Sequence, residues 1–359
     1  MSDKKNQHYI PQFCLRKFAS DSNKVINLYN LDSKKFIKNA SIKHQACKNY
    51  FYGKDIAIEN ALAYFEDGVS KIFNKILRDS KLPQKKSEDY LMLLFFISIQ
   101  HNRTKFAHDD MMGIHHQIMS ILGKNFNHLS TLSENNWIYE KMSIAVKCIS
   151  YLKDLKMKLI VNKTTNEFTY SDNPIVFYNQ FLEMKGRPEI GCNSVGIEIL
   201  LPISPFLYLI LYDAQIYHIG KSQSDTIETY DNDDIDNLNR LQILSANSNI
   251  YFSKDSTQQY IEKIAENKSN YRRKNMSTVT EYHSVTNKYK SLIGIHAIPI
   301  VPRFPVLQII LYSPLFPKWG TLFFCVLTPF FSSFSQDVPC FPLSCSPKFS
   351  KRGTRFFAS

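Results

Sequence analysis

The chain has 359 residues, a mass of 41.8 kDa and 44% hydrophobic residues, enough to close a large core, which excludes an intrinsically disordered polyelectrolyte. Its formal charge is +12, from 44 lysines and arginines against 32 acids, but the last 73 residues, from Asn287, hold eight of those cations and a single acid, Asp337. The preceding 286 residues are close to charge balance, which excludes a chain that is basic throughout.

The polar opening Met1–His8 lacks the apolar run of a secretion signal. Seven cysteines, with no C-x-x-C pair among them, argue against a zinc site or a disulfide framework and suit a reducing compartment, so a cytoplasmic protein is expected.

Residues 24–31 and 36–42, joined by the polar turn Asp32-Ser33-Lys34-Lys35, predict a hairpin. From Ile56 to Leu77 apolar residues recur at three- and four-residue steps, which predicts a helix with one buried stripe. Ser87 opens a second helix that is apolar all round from Leu91 to Ile99, hence buried, and the helical pattern continues towards Leu122. Trp137–Leu155 predicts a further amphipathic helix.

The period then turns extended, with strands expected at 158–161, 167–170, 175–178, 197–201 and 206–212. A helix over 233–246, a strand over 249–252 and a polar helix over 258–274 follow. The expected fold class is α+β: an N-terminal hairpin, a helical bundle region, then a mainly antiparallel sheet with flanking helices, all within residues 1–286.

Residues 287–359 read as an irregular tail, because nine of the 15 prolines and 11 of the 26 phenylalanines lie beyond Ser291. A disordered or non-native extension is the expectation. Residues 319–336 are uncharged over a span close to membrane thickness, but Pro329 interrupts them and membrane contact there is not expected.

The segment Gln7-His8-Tyr9-Ile10-Pro11-Gln12-Phe13-Cys14-Leu15-Arg16-Lys17-Phe18 resembles the His-Tyr-x-Pro-x-x-x-Leu-x-x-Phe opening of the bacterial family catalogued as domain of unknown function 4238. Further marks follow in the same order: Asn49-Tyr50-Phe51-Tyr52, Glu59 and Glu66, Gln100-x-x-Arg103-Thr104, Ser171-Asp172-Asn173-Pro174, Pro202-x-Ser204-Pro205 and Asn237-Leu238-Asn239. Cys14 departs from an expected aromatic. The resemblance covers roughly residues 5–275 and implies a domain without implying an activity.

Each motif has a chemical and a structural reading. His8 could act as a general base or metal ligand, or bond the turn that Pro11 starts. Glu59 and Glu66 share one helix face about 10 Å apart. Arg103, ending a buried helix, needs an anion: Glu59 or Glu66 in an internal pair, or a substrate phosphate. Asp172 closes a strand, either facing a cleft or making a turn.

His101, His108 and His115 do not meet helical chelate spacing and read as surface residues; Glu183-x-Lys185 is a weak nuclease-like pair. The expected assignment is His8 and Asp172 as catalytic, Arg103, Gln100 and Tyr52 as ligand-binding, Pro11, Glu59, Glu66, Pro174 and Asn239 as structural or supporting the site from behind, and no metal. Phosphate-loop, dinucleotide and hydrolase motifs are missing, and no cofactor is implied. The residues suit a domain that binds or acts on a phosphate-bearing ligand such as nucleic acid, with His8, Arg103 and Asp172 converging. The alternative is a non-enzymatic protein-interaction module of a toxin or phage-response system, in which the same motifs brace the fold.

Overall fold

The computed structural model describes residues 5–19, 23–122, 137–181, 191–253, 258–266, 277–282, 292–296 and 310–312. In chain order the elements are β1 (Asn6–His8), α1 (Gln12–Arg16), β2 (Val25–Asn30), β3 (Lys35–Ser41), a 3-10 turn at Ile42–His44, β4 (Cys47–Asn49), α2 (Ala57–Asp79), α3 (Glu88–Asn102), α4 (Lys105–Leu122) and α5 (Trp137–Leu152). Then come β5 (Lys156–Asn162), β6 (Tyr170–Ser171), β7 (Val176–Tyr178), β8 (Glu198–Ser204), β9 (Leu207–Tyr212), β10 (Tyr217–Ile219) and β11 (Thr226–Thr229). The remaining elements are α6 (Asn232–Ser245), β12 (Asn249–Phe252), α7 (Gln258–Glu266), β13 (Thr278–Tyr282), β14 (Leu292–His296) and β15 (Ile310–Tyr312). The fold is α+β, and all these elements lie in one unit that runs to Lys318.

The hairpin forms as expected: Lys34 takes a left-handed φ of 54°, and both the amide and the hydroxyl of Ser33 donate to Asn30 Oδ1 at 2.8 Å. It does not stand alone. β2 also pairs antiparallel with β12, in a sheet of order β3-β2-β12-β6. A second sheet has the order β11-β5-β9-β8-β7 and is antiparallel except for the β11–β5 pair. β8 and β9 are buried along their whole length, which is why they lack the alternation of a half-exposed strand.

The helices follow their sequence signals. α2 buries Leu62, Val69, Ile72, Phe73 and Ile76, the stripe its periodicity marks. Ser87 caps α3 by accepting from the Tyr90 amide, and Leu93, Leu94, Phe96 and Ile97 sit in the core. Past Asn102 the helical run breaks at Arg103-Thr104, and Thr104 Oγ1 accepts the Ala107 amide at the start of α4. α6 is capped by Asp231. Of the expected strand over 167–170 only Tyr170 lies in a strand, β6, because Glu167 and Thr169 are bonded by the α6 side chain of Asn239 instead.

Two expectations need correction. Cys148 on α5 and Cys192 are joined in a disulfide across 44 residues, although their spacing carries no signature. His101 stacks on Phe177 with ring centroids 4.0 Å apart, and His108 packs against Trp137 and Phe51, so neither is a surface residue. β14 and β15 are regular strands beyond Asn287. β14 ends before Pro299 and pairs with β13, and β15 fits between Pro305 and Pro314 and pairs with β10. No helix among the described residues is long and apolar enough to cross a membrane. Residues 319–336 and the Glu183-x-Lys185 pair lie outside the described residues.

Candidate functional site

The His-Tyr-x-Pro segment is shaped by its two ends. β1 pairs with β4 through Asn6 with Asn49, Gln7 with Lys48 and His8 with Cys47. Pro11, with φ −56°, then starts α1, whose Cys14 and Leu15 enter the core. The opposite side of α1 carries a ladder at four-residue spacing. Gln12 Nε2 lies 3.3 Å from His8 Nε2, and Arg16 Nη2 donates to Gln12 Oε1 at 2.9 Å.

Facing this ladder is α2, whose Glu59, Ala63, Glu66, Asp67 and Ser70 fall on one face. Between the two helices lies a cleft of about 370 Å³, lined by His8, Gln12, Phe13 and Arg16 on one wall and by those five α2 residues on the other.

Behind the cleft is a bonded interior. Arg103 is 1% exposed; its Nη2 donates to Glu66 Oε1 at 2.6 Å and its Nε to Gln100 Oε1 at 2.9 Å. Gln100 Nε2 donates in turn to the Tyr9 carbonyl, and the Tyr52 hydroxyl to the His8 carbonyl, both at 3.0 Å. Gln7 holds the Tyr52 amide with its Oε1 and the Gly53 carbonyl with its Nε2. The signature backbone at His8 and Tyr9 is thus tied to α3 and to the segment after β4.

Burial pulls the His8 imidazole below its ordinary pKa; the Lys43 carbonyl and Glu66 oppose that shift, while Arg103 and Arg16 add to it. His8 Nε2 lies 3.2 Å from the Lys43 carbonyl, an acceptor, and 3.3 Å from the Gln12 amide nitrogen, a donor, so the two contacts ask opposite roles of it and the tautomer sets which one is made. Burial works against the charge of Arg103, and the Tyr52 hydroxyl and Glu66 outweigh it, so the guanidinium stays charged.

The structure brings His8, Glu59 and Glu66 to one cleft, with Arg103, Gln100 and Tyr52 directly behind it. It does not bring Asp172 there. That carboxylate is 2% exposed and accepts the amides of Asn247, Ser248 and Asn249 at 2.7, 2.9 and 3.0 Å, fastening the turn from α6 to β12. The expected convergence of His8, Arg103 and Asp172 is corrected to His8, Glu66 and Arg103.

Asn239 is wholly buried and bonded to Thr169, Glu167 and Tyr260, and Pro174 offers its carbonyl to Gln242. Thr104 donates to Asn173 Oδ1, linking the end of α3 to the Ser171–Pro174 turn. Gln7, Gln12, Arg16, Asp67 and Ser70 escape sequence reasoning. The four-residue step from His8 to Gln12 to Arg16 was the available signal. No group of three or more His, Cys, Asp or Glu side chains poised to hold a metal occurs among the described residues.

A family model described as "Protein of unknown function (DUF4238)" matches residues 6–256, which contain both cleft walls, the bonded interior and the Asp172 turn. The chain belongs to that family. No curated protein and no solved structure matches it.

Proposed function

We propose that this member of the DUF4238 family binds a small polar ligand in the α1–α2 cleft, and that the ligand presents an amine, guanidinium or similar donor to Glu59, Glu66 and Asp67. The observation that carries the reading is the lining itself: three carboxylates share the cleft with one lining cation, Arg16, and the neutral imidazole of His8, while Arg103 and Lys71, outside the lining, each bond a single oxygen, of Glu66 and of Asp67 respectively. Such a lining favours positive charge and disfavours a phosphate. The phosphate-bearing ligand suggested by the motifs would rely on Arg103, whose guanidinium is already committed to Glu66 and Gln100. His8, whose imidazole burial keeps in the neutral form, is suited to accept a proton from a bound ammonium or hydroxyl group.

The test is a calorimetric titration of the full chain with spermidine and arginine amide, beside inorganic phosphate and adenosine monophosphate. Binding of the cations that is lost in Glu59→Gln or Asp67→Asn supports the reading. Binding of the anions alone overturns it. A second reading, a non-enzymatic module that docks another protein, draws on the internal bonding of Tyr52, Gln100, Arg103, Asp172 and Asn239, which brace the fold. A folded chain that takes up none of the four probes favours that reading.

A further inference from the structure

The phosphate chemistry missing from the cleft has a more suitable surface beside it. Residues 33–54 contain Lys34, Lys35, Lys38, Lys43, Lys48 and Lys54, together with His44, and no Asp or Glu. At the chain's average of 32 acids in 359 residues, a span of this length would carry about two. All six lysines are exposed, and none takes part in the ion pairs found among the described residues. Elsewhere on the surface Lys71, Lys75 and Lys105 each sit within 2.8 Å of an aspartate.

Lysines on an exposed edge strand are common because they discourage edge-to-edge pairing, and β3 is such an edge, so Lys35 and Lys38 need no further account. β4 is an edge of its two-stranded ribbon as well, so Lys48 falls under the same account, but that reasoning does not reach Lys43 and Lys54, which lie outside both strands. The chain folds them around the β1–β4 ribbon. The Lys43 carbonyl is met by Asn6, His8 and Cys47, Lys48 pairs with Gln7, and the Tyr50 amide bonds the Lys5 carbonyl at 2.8 Å. Lys5 adds its own cation, with its ammonium 5.9 Å from the centre of the Tyr50 ring. The ring of Tyr50, 37% exposed, stands among these charges.

We infer that the surface formed by the β1–β4 ribbon and the neighbouring β3 edge binds the phosphate backbone of single-stranded nucleic acid, with Tyr50 as a platform for a base. Cations without an acid partner, gathered along one stretch of chain, release counterions when they meet a polyphosphate, and that release drives binding. The seven residues of β3 extend about 20 Å, and the ribbon lengthens the track. Single strands are favoured over duplex because an exposed ring flanked by lysines can stack on an unpaired base, whereas a duplex hides its bases. The inference is independent of the cleft reading. It uses a different surface, a different ligand charge and a different assay.

The test is fluorescence anisotropy of the full chain with a labelled 20-nucleotide single strand, a 20-base-pair duplex and phosphatidylserine vesicles as competitor. With about five phosphates neutralised, affinity should fall about a hundredfold between 50 and 200 mM salt. Lys43→Glu/Lys48→Glu/Lys54→Glu should weaken binding by at least tenfold and flatten the salt slope by about two. Lys81→Glu/Lys85→Glu/Lys147→Glu, the same charge change at exposed positions elsewhere, should leave affinity within about twofold. Tyr50→Ala should weaken single-strand binding by at least about fivefold and leave duplex binding unchanged. Circular dichroism checks that each variant is folded. Equal losses in the two triple variants would assign binding to net charge or to the basic residues beyond Asn287 and overturn the inference. Duplex or vesicles bound more tightly than the single strand, or a Tyr50→Ala variant that binds as the parent does, would overturn it as well.

Discussion

Removing one partner from the Arg103–Glu66 pair should cost very different amounts depending on which partner goes. The two groups meet at 2.6 Å, but the Arg103 side chain is 2% exposed and that of Glu66 is 24% exposed, on the cleft wall. Glu66→Leu strands a guanidinium in the interior with no anion, and an uncompensated buried charge costs about 3–5 kcal/mol. Arg103→Met leaves a carboxylate that water can reach through the cleft, so the loss is mainly that of the Gln100 bond and of Gln100 Oε1 left without a donor, about 2 kcal/mol. The double variant, with both charges gone, should be more stable than Glu66→Leu alone, because the stranded charge is removed. Equilibrium urea unfolding of the full chain reads all three differences, and at roughly 2 °C per kcal/mol the Glu66→Leu loss corresponds to about 8 °C in Tm. If Arg103→Met is as costly as Glu66→Leu, or if the double variant is the least stable, the argument from unequal burial fails.

Asp172→Ala should destabilise by about 3 kcal/mol or more, measured by the same unfolding, because three inward-facing amides lose their only described acceptor; Asp172→Asn, which keeps one carbonyl oxygen, should lose less. Leu94→Ala in α3, at a wholly buried position, should cost about 2–5 kcal/mol, and urea unfolding that shows under 1 kcal/mol would contradict the core placement of that helix. His8 has a pKa lowered by burial, so the unfolded chain binds a proton that the folded chain refuses; this contribution is present above the ordinary histidine pKa and is lost as pH falls from about 6.5 towards the folded value. Compared with His8→Gln, the parent chain should therefore lose more stability between about pH 7.5 and 5.5 in thermal melts, and parallel curves would argue against a buried neutral imidazole.

The elements that could be read from the sequence are those whose signals are local. α2 and α3 declare themselves through a stripe of three- and four-residue steps and through a serine cap, and the β2–β3 hairpin through its polar turn. What could not be read depends on partners far along the chain. β12 joins β2 across more than 200 residues, and β10 and β11 are three and four residues long, too short for alternation to show. The same division holds at the site. His8 and Glu66 could be picked out by residue type, and their proximity is tertiary. Asp172 looked equally reactive because a turn aspartate carries no local mark of its acceptors' fate. Three amides about 75 residues away use it up. Cys148 and Cys192 show the same limit, since a bond across 44 residues leaves no spacing rule behind.

The dispersed motifs make sense as two layers of one construction. Gln7, Tyr52, Gln100 and Arg103 turn their polar atoms to one another and to the backbone at His8 and Tyr9, leaving those atoms little to offer a ligand. What they fix is the position of two groups that do reach the cleft: the imidazole of His8, through its own backbone, and the carboxylate of Glu66, through Arg103. A buried arginine here is costly to desolvate, and an apolar residue of similar volume could fill its space. What an apolar residue could not do is hold a half-exposed glutamate at a set angle, opposite a histidine on another helix, while leaving its second oxygen for the cleft. A functional group placed to within a fraction of an ångström needs supporting residues that are themselves locked by hydrogen bonds. On the cleft reading proposed above, the interior residues act by positioning His8 and Glu66 and not by touching the ligand.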